Sequence, residues 1–260
     1  MNQQRVNDNW QTIESRVIDP PLQLSICAHA FRPNPTTIRF ARALTVERGE
    51  TVFDIGSGIG PLAIKAAKDG AARVVAVDPV GCHCKLAREN VTRYGLDEIV
   101  EVHQGEFFDP FETHARLQGL KADVIIADVS GIADRAARAL GWYGPDVPTG
   151  GPDGTDVLLR MLEQAPHYLN PGGRLYFPIA VDLSDGAKVE AAARRQFERV
   201  DNALSREFVT FPLTNEEINA IREAYPEGLP AYINIQTGTR VSWRGQILVA
   251  SVPRALARRM

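Results

Sequence analysis

The sequence predicts an α/β fold built on a doubly wound, mostly parallel sheet, and three observations predict it. Short apolar runs alternate with segments of helical period through the middle of the 260-residue chain. The run Arg73–Val77 is apolar without the alternation of a half-exposed strand, which is typical of buried parallel strands. A glycine-rich turn, Asp54–Gly60, follows one such run and opens a helical segment.

The elements follow in order along the chain. Residues 1–46 form an N-terminal arm and a cap helix, which Thr36 or Thr37 can cap after a Pro-Asn-Pro break. Residues 47–212 carry the strands and helices of the core. The predicted strands are Thr51–Ile55, Arg73–Val77, Ile99–His103, Ala122–Ala127, Arg174–Phe177 and Glu207–Phe211, and the predicted helices are Pro61–Lys68, Gly81–Tyr94, Thr155–Tyr168 and Asp185–Phe197.

The last third of the chain departs from this alternation. Residues 213–245 read as an insertion before the last strand, with a helix capped at Thr214 and a strand over Ala231–Ile235. Residues 246–260 hold the final strand and a tail, which completes a seven-stranded, Rossmann-like sheet. The insertion is suited to be a lid, a contact in a homodimer or part of a substrate wall.

Composition excludes several classes of function. Apolar residues make up 44% of the chain and the formal net charge is −3, which argues against DNA or RNA as the main partner. The sequence has neither an apolar stretch of membrane-spanning length nor an N-terminal signal peptide, so we expect a cytoplasmic enzyme without a membrane partner. Cys82-His83-Cys84 lacks a second ligand pair at zinc spacing, and no metal is expected.

The glycine-rich turn has the spacing of a particular nucleotide site. It reads Asp54-x-Gly56-x-Gly58-x-Gly60, where a dinucleotide fingerprint would place the third glycine three residues after the second. Glycines let the backbone turn tightly and approach a ligand. The acid just before them suits an amino-acid group better than a pyrophosphate.

Three further features fall at the carboxyl ends of predicted strands, where ligands bind in open α/β sheets. Asp78 ends the second core strand and is placed to accept the ribose hydroxyls of a nucleoside. Glu106 can meet an adenine edge and Phe107 its face. Asp128 ends the fourth strand. Each residue alone fits a cap, a turn or a solvated side chain, but their order predicts S-adenosylmethionine (SAM) as the cofactor.

With these residues the chain resembles the class I SAM-dependent methyltransferases over about residues 31–212. It is most similar to the glutamine-N5 branch that modifies release factors, through Pro33–Thr37 and the Gly-Gly-x-x-Gly segment Gly150–Gly154. That branch carries Asn-Pro-Pro-Tyr after its fourth strand, and this chain has Asp128-Val-Ser-Gly131. The resemblance implies that the binding frame for a planar amide or a nucleobase is lost, and methylation of a release factor or a base is not expected.

The altered motif leaves three hypotheses, the first two in small-molecule metabolism. The chain is similar to the azetidine-2-carboxylate synthases, which cyclise the aminobutyryl arm of SAM and release methylthioadenosine. Asp128 and Ser130 would then take the proton of the amine. Tyr176 would face the sulfonium, unless it lies in the core, and Trp10 and Leu24 would close the pocket. The alternatives are methyl transfer to a small molecule, with a protein glutamine as the less favoured acceptor, and SAM binding without turnover.

Overall fold

The computed structural model describes residues 10–28, 30–142, 149–204, 209–235 and 242–252. The strands are β1 (Gln11–Ser15), β2 (Leu22–Ile26), β3 (Thr51–Ile55), β4 (Arg73–Asp78), β5 (Val100–Gln104), β6 (Ala122–Ile126), β7 (Leu169–Ile179), β8 (Arg199–Asn202), β9 (Val209–Pro212) and β10 (Ser242–Ser251). The helices are α1 (Pro35–Ala43), α2 (Pro61–Asp69), α3 (Gly81–Arg93), α4 (Asp109–Thr113), α5 (Asp134–Ala139), α6 (Asp156–Gln164), α7 (Gly186–Gln196) and α8 (Asn215–Ala224), with a 3₁₀ turn over Ala165–Tyr168.

The central sheet confirms the predicted doubly wound fold. Its order is β5-β4-β3-β6-β7-β10-β8. The first five strands in this order are parallel, and β10 is antiparallel to β7. Eight strands occupy seven positions, because β8 pairs with Leu248–Ser251 of β10 and β9 pairs with Ser242–Gly245. The chain reverses direction across the sheet between β3 and β6, and a crevice opens at the carboxyl ends of strands at such a switch point.

The N-terminal arm contains a β-hairpin that the sequence did not indicate. Strands β1 and β2 pair antiparallel, and the buried residues of β2 pack against α3. The amide of Ser25 donates to Asn90 Oδ1 at 2.6 Å, and the amide of Gln23 donates to the Tyr94 hydroxyl at 2.6 Å. These contacts fasten the hairpin to α3.

Helix α1 is capped two or three residues before the predicted threonine caps. The cap is Asn34, whose Oδ1 accepts from the amides of Thr36 at 2.8 Å and Thr37 at 3.1 Å. Pro35 occupies the first helical position, where its missing N–H costs nothing. Thr37 lies inside the first turn, with its side chain beside the crevice.

The insertion before the last strand is packed rather than detached. Helix α8 begins with the predicted capping box at Thr214 and packs on α5. Residues 231–235 form one isolated bridge, Leu183 to Ile233, instead of the predicted strand. Asp182 is fully buried and accepts from the backbone and guanidinium of Arg244. The predicted turn over 236–239 lies outside the described residues, as does the tail from 253.

Other elements were absent from the prediction. Helices α4 and α5 and strand β8 fall in segments to which no element was assigned, because all three are only four to six residues long. Among the described residues, none of the helices is both long and apolar enough to cross a bilayer.

Candidate active site

A cleft of about 920 Å³ opens at the carboxyl edge of the sheet. It runs from the ends of β3 and β4, past β6, to the ends of β7 and β10, and the start of α1 borders it. Seven of the predicted site residues line it. These are Gly56, Gly58, Asp78, Glu106, Phe107, Asp128 and Ser130.

The glycine-rich turn forms the floor of the cleft at one end. The amides of Gly56 and Ser57 donate to the Val77 carbonyl at 2.8 and 3.0 Å, which ties the turn to β4. Gly56 has a φ of 76°, and a Cβ there would lie 2.7 Å from Val129 Cγ1. A Cβ on Gly58 would meet no atom within 4 Å, although Gly58 lines the cleft. The turn therefore leaves free space beside a bare backbone, which fits a bound nucleoside.

Asp78 lies at the centre of a hydrogen-bond cluster. Its Oδ2 accepts from the Gly58 amide at 2.8 Å, and its Oδ1 accepts from the Val80 amide at 2.9 Å. His83 Nδ1 lies 3.0 Å from the same Oδ1. Sequence reasoning assigned His83 no role, although its position five residues after Asp78, in the first turn of α3, is a local signal for this contact.

Phe107 lines the cleft at the end where adenine is predicted to bind. Its φ of 46° is unusual for an aromatic residue, and such conformations concentrate at ligand sites. The Arg160 guanidinium lies 4.2 Å from the centre of the Phe107 ring, and Arg160 also pairs with Glu106 at 3.4 Å. Arg160 was not predicted, because its helix is remote in sequence from Phe107.

Asp54 lies beneath the turn and does not line the cleft. It is 1% exposed, and its Oδ2 has no hydrogen-bond partner among the described residues. Burial raises the pKa of Asp54 to about 8, with a further contribution from the negative charge of Asp128. Asp54 is thus placed to carry a proton at neutral pH, which leaves Asp128 as the ionised partner of the two.

The raised pKa of Asp54 predicts a pH-dependent effect on stability. The folded state retains a proton that the unfolded chain loses above its ordinary pKa of 3.8, so this contribution to the free energy of unfolding falls as pH rises toward 8. Asp54→Asn removes the titration. We expect the variant and the parent to unfold at similar temperatures at pH 5, and the variant to unfold roughly 3 °C or more higher at pH 8.

Differential scanning fluorimetry between pH 5 and 8 measures this difference. Asp97→Asn, on an exposed residue, is the matched control and should show no pH-dependent difference from the parent. A constant offset for Asp54→Asn across the range would contradict the titration.

Asp128 faces the cleft where β6 ends. Burial raises the pKa of its carboxyl to about 6, and a hydrogen bond from the Thr37 side chain opposes part of that rise. The hydroxyl of the neighbouring Ser130 is buried without a hydrogen-bond partner among the described residues. A carboxylate with a pKa near neutrality, beside an unsatisfied hydroxyl, can bind and deprotonate a cationic group.

Besides Asp54, four predicted site residues lie away from the cleft. Tyr176 is 5% exposed within β7 and packs in the core, which is the alternative that the sequence left open for it. Leu24 is fully buried in the hairpin. Trp10 lies against Lys85 of α3, 5.5 Å from Nζ to the ring centre. Gly60 caps α2 with a φ of 86°, and a Cβ there would lie 3.4 Å from Ala87 Cβ of α3.

An aromatic wall, formed by Trp142, Phe211 and Trp243, lines the other end of the cleft. The Phe211 and Trp243 rings stack with centres 4.3 Å apart, and Trp142 lies 6.0 Å from Trp243. Gly245 leaves room for this stack, since a Cβ there would lie 3.1 Å from Phe211. The three aromatic residues come from separate segments, which is why the sequence did not reveal the wall.

Comparison with known proteins places this geometry in a family. The family model for ribosomal protein L11 methyltransferase (PrmA) matches residues 35–134. A release factor glutamine methyltransferase of Moorella thermoacetica is 31% identical over 206 residues, covering 71% of this chain and 70% of that protein. A ribosomal protein L11 methyltransferase of Desulforamulus reducens is 40% identical over 117 residues, covering 44% of this chain. The chain spans about a third of that relative's length.

Solved structures show the same fold. The ribosomal protein L11 methylase of Lactobacillus delbrueckii subsp. bulgaricus has a TM-score of 0.52 and 20% identity, with 84% of this chain and 80% of that one covered. The Thermus thermophilus 16S rRNA N2 G1207 methyltransferase, solved with AdoMet and guanosine, has a TM-score of 0.60 and 16% identity over 94% of this chain and 50% of that one.

These relatives correct the predicted reaction and partner. They are named for a ribosomal protein and for release factors, so cyclisation of SAM and a small-molecule substrate were wrong. The expected class of enzyme and its fold are confirmed. The chain belongs to the class I SAM-dependent methyltransferase family that includes the release factor glutamine methyltransferases.

Proposed function

We propose that this enzyme transfers a methyl group from SAM to an amine nitrogen of a protein, of the kind represented by a ribosomal protein or a release factor. The observation that carries the proposal is the Asp128 carboxyl, which lines the cleft and has its pKa raised to about 6. The names of the relatives support a protein acceptor.

The cofactor end of the cleft fits SAM residue by residue. Gly56 and Gly58 provide bare backbone, Asp78 offers a carboxylate for the ribose, and Phe107 offers an apolar surface for adenine. Bound SAM supplies a methyl group activated by the positive charge on sulfur. At the other end, Asp128 and the aromatic wall remain for the acceptor.

An amine acceptor suits Asp128. Amines arrive mainly as ammonium ions, and a carboxylate attracts that charge and accepts one proton. The freed lone pair on nitrogen forms the N–C bond as the C–S bond breaks, which leaves a methylammonium product and S-adenosylhomocysteine. The aromatic wall offers ring faces for the alkyl stem and the cationic nitrogen.

A glutamine amide is the second candidate acceptor. The observation that favours it is the match to the Moorella protein over 70% of that protein's length. An amide nitrogen needs acceptors for two N–H groups in one plane, and the Val129-Ser130-Gly131 segment after Asp128 lacks the prolines and aromatic of the glutamine-N5 motif. Asp128 alone supplies only part of that planar frame. For an ammonium ion it supplies both the attracting charge and the proton acceptor.

The test uses the full chain with methyl-labelled SAM and two purified proteins from the same organism, ribosomal protein L11 and a release factor. Peptide mapping by mass spectrometry locates the label. We expect label on a lysine side chain or an N-terminal amine. Label on a glutamine amide would establish the second candidate instead, and SAM binding without label on either protein would overturn both.

The pKa of Asp128 predicts the pH profile of the reaction. The ionised carboxylate is the active form, so kcat should rise about tenfold per pH unit below pH 6 and level off above it. The measurement is kcat at saturating SAM and acceptor from pH 4.5 to 8. Asp156→Asn, another acid lining the cleft, should keep the parent profile. A flat profile below pH 6 would contradict the role of Asp128.

A further inference from the structure

We propose that His83 is a positioning residue for the cofactor ribose. Its Nδ1 occupies Oδ1 of Asp78, so that only Oδ2 is left to accept a single ribose hydroxyl. The inference rests on SAM binding and is independent of the acceptor. Sequence reasoning expected Asp78 to accept both ribose hydroxyls.

The hydrogen bonds already made by Asp78 carry the proposal. A carboxylate offers about four lone-pair sites, two on each oxygen. Oδ1 faces two donors, the Val80 amide at 2.9 Å and His83 Nδ1 at 3.0 Å. Oδ2 faces one, the Gly58 amide at 2.8 Å. One site on Oδ2 remains, and Asp78 lines the cleft.

The surroundings of His83 fix which of its nitrogens donates. A carboxylate oxygen only accepts, so Nδ1 must carry the proton directed at Asp78. On the other side of the ring, the amide of Phe31 donates to Nε2 at 3.4 Å. The imidazole is 3% exposed and is held between the segment before α1 and the cofactor site. Its orientation therefore does not depend on a bound ligand.

Helix α3 contacts Asp78 through two adjacent residues. His83 lies on α3, and the adjacent Cys84 thiol donates to the Asp78 carbonyl at 3.3 Å. The Cys84 contact holds the backbone of Asp78, and the carboxylate itself is held by Gly58 of the glycine turn, by Val80 of the loop to α3 and by His83 of α3. A carboxylate held on three sides cannot rotate to present both oxygens to a ribose.

Binding of nucleoside analogues tests the inference. Dissociation constants of S-adenosylhomocysteine and of its 2′-deoxy and 3′-deoxy analogues are measured by isothermal titration calorimetry on the full chain. We expect loss of one hydroxyl to weaken binding about tenfold, as for a hydrogen bond to a charged group, and loss of the other to change it less than about twofold. Equal weakening by both analogues would overturn the single-hydroxyl assignment.

Two variants test the role of His83. His83→Asn keeps an N–H donor near the Nδ1 position and should preserve the unequal response to the analogues. His83→Leu removes the donor and frees a site on Oδ1, so the responses should become similar. An unchanged inequality in His83→Leu would overturn the positioning role. The parent measurements decide the single-hydroxyl claim even if His83→Leu fails to fold.

Discussion

Asp128→Asn is expected to lower kcat for methyl transfer by about a thousandfold, within the range that a positioned acid or base contributes. Asparagine keeps the size and the hydrogen bond to Thr37 but can neither attract an ammonium ion by charge nor accept its proton. Because the proposed role of Asp128 is to act on the acceptor, and the ribose and adenine contacts are assigned to Asp78 and Phe107, the affinity for SAM should change less than about threefold. Methylation kinetics and calorimetry on the same preparation separate the two quantities.

The matched control for this variant is Asp156→Asn. Asp156 also lines the cleft, at the start of α6, but it is exposed. Its substitution changes the net charge by the same amount and should leave kcat within about threefold. A normal kcat in Asp128→Asn, or an equal loss in both variants, would exclude proton transfer by Asp128.

The cofactor end of the site could be predicted because its signals are local. The turn from Asp54 to Gly60 and the acid Asp78 each follow a strand whose apolar run is visible in the sequence. Parallel strands bring their carboxyl ends to one edge, so order along the chain gives position in space. Gly56, Gly58 and Asp78 accordingly line one cleft.

The acceptor end could not be predicted in the same way. Trp142, Phe211 and Trp243 meet only because the insertion packs on α5 and β10 crosses between β7 and β9. The spacing of the three residues in the sequence does not predict that contact. Trp10 and Tyr176 were chosen instead as aromatic residues, and the structure places Trp10 against Lys85 of α3 and Tyr176 in the hydrophobic core.

The error about the substrate has a different cause. The change from Asn-Pro-Pro-Tyr to Asp128-Val-Ser-Gly131 was taken to exclude a release factor or a nucleobase as acceptor, and a small molecule was expected instead. That motif determines how one acceptor nitrogen is held, and it carries no information about the size of the molecule bearing the nitrogen. A carboxylate in place of the amide frame fits a change from amide to amine within protein substrates.

Asp78→Ala is expected to weaken SAM binding about a hundredfold. About a tenfold loss comes from the ribose hydroxyl that Asp78 accepts. The remainder arises because the amides of Gly58 and Val80 and the His83 ring lose their shared acceptor in a buried position. Unsatisfied donors there favour rearrangement of the glycine turn, so the cost exceeds that of one ligand contact.

Comparison with two other variants locates that loss. Asp78→Asn retains an oxygen for part of the cluster and should weaken SAM binding less than alanine does. Asp69→Ala, at the exposed end of α2, should leave binding unchanged. If SAM affinity in Asp78→Ala stays within about threefold of the parent, the ribose assignment fails. A lower affinity with kcat retained at saturating SAM is the expected pattern, because Asp78 accepts hydrogen bonds from Gly58, Val80 and His83 and is assigned to the ribose, whereas the proton of the acceptor is assigned to Asp128.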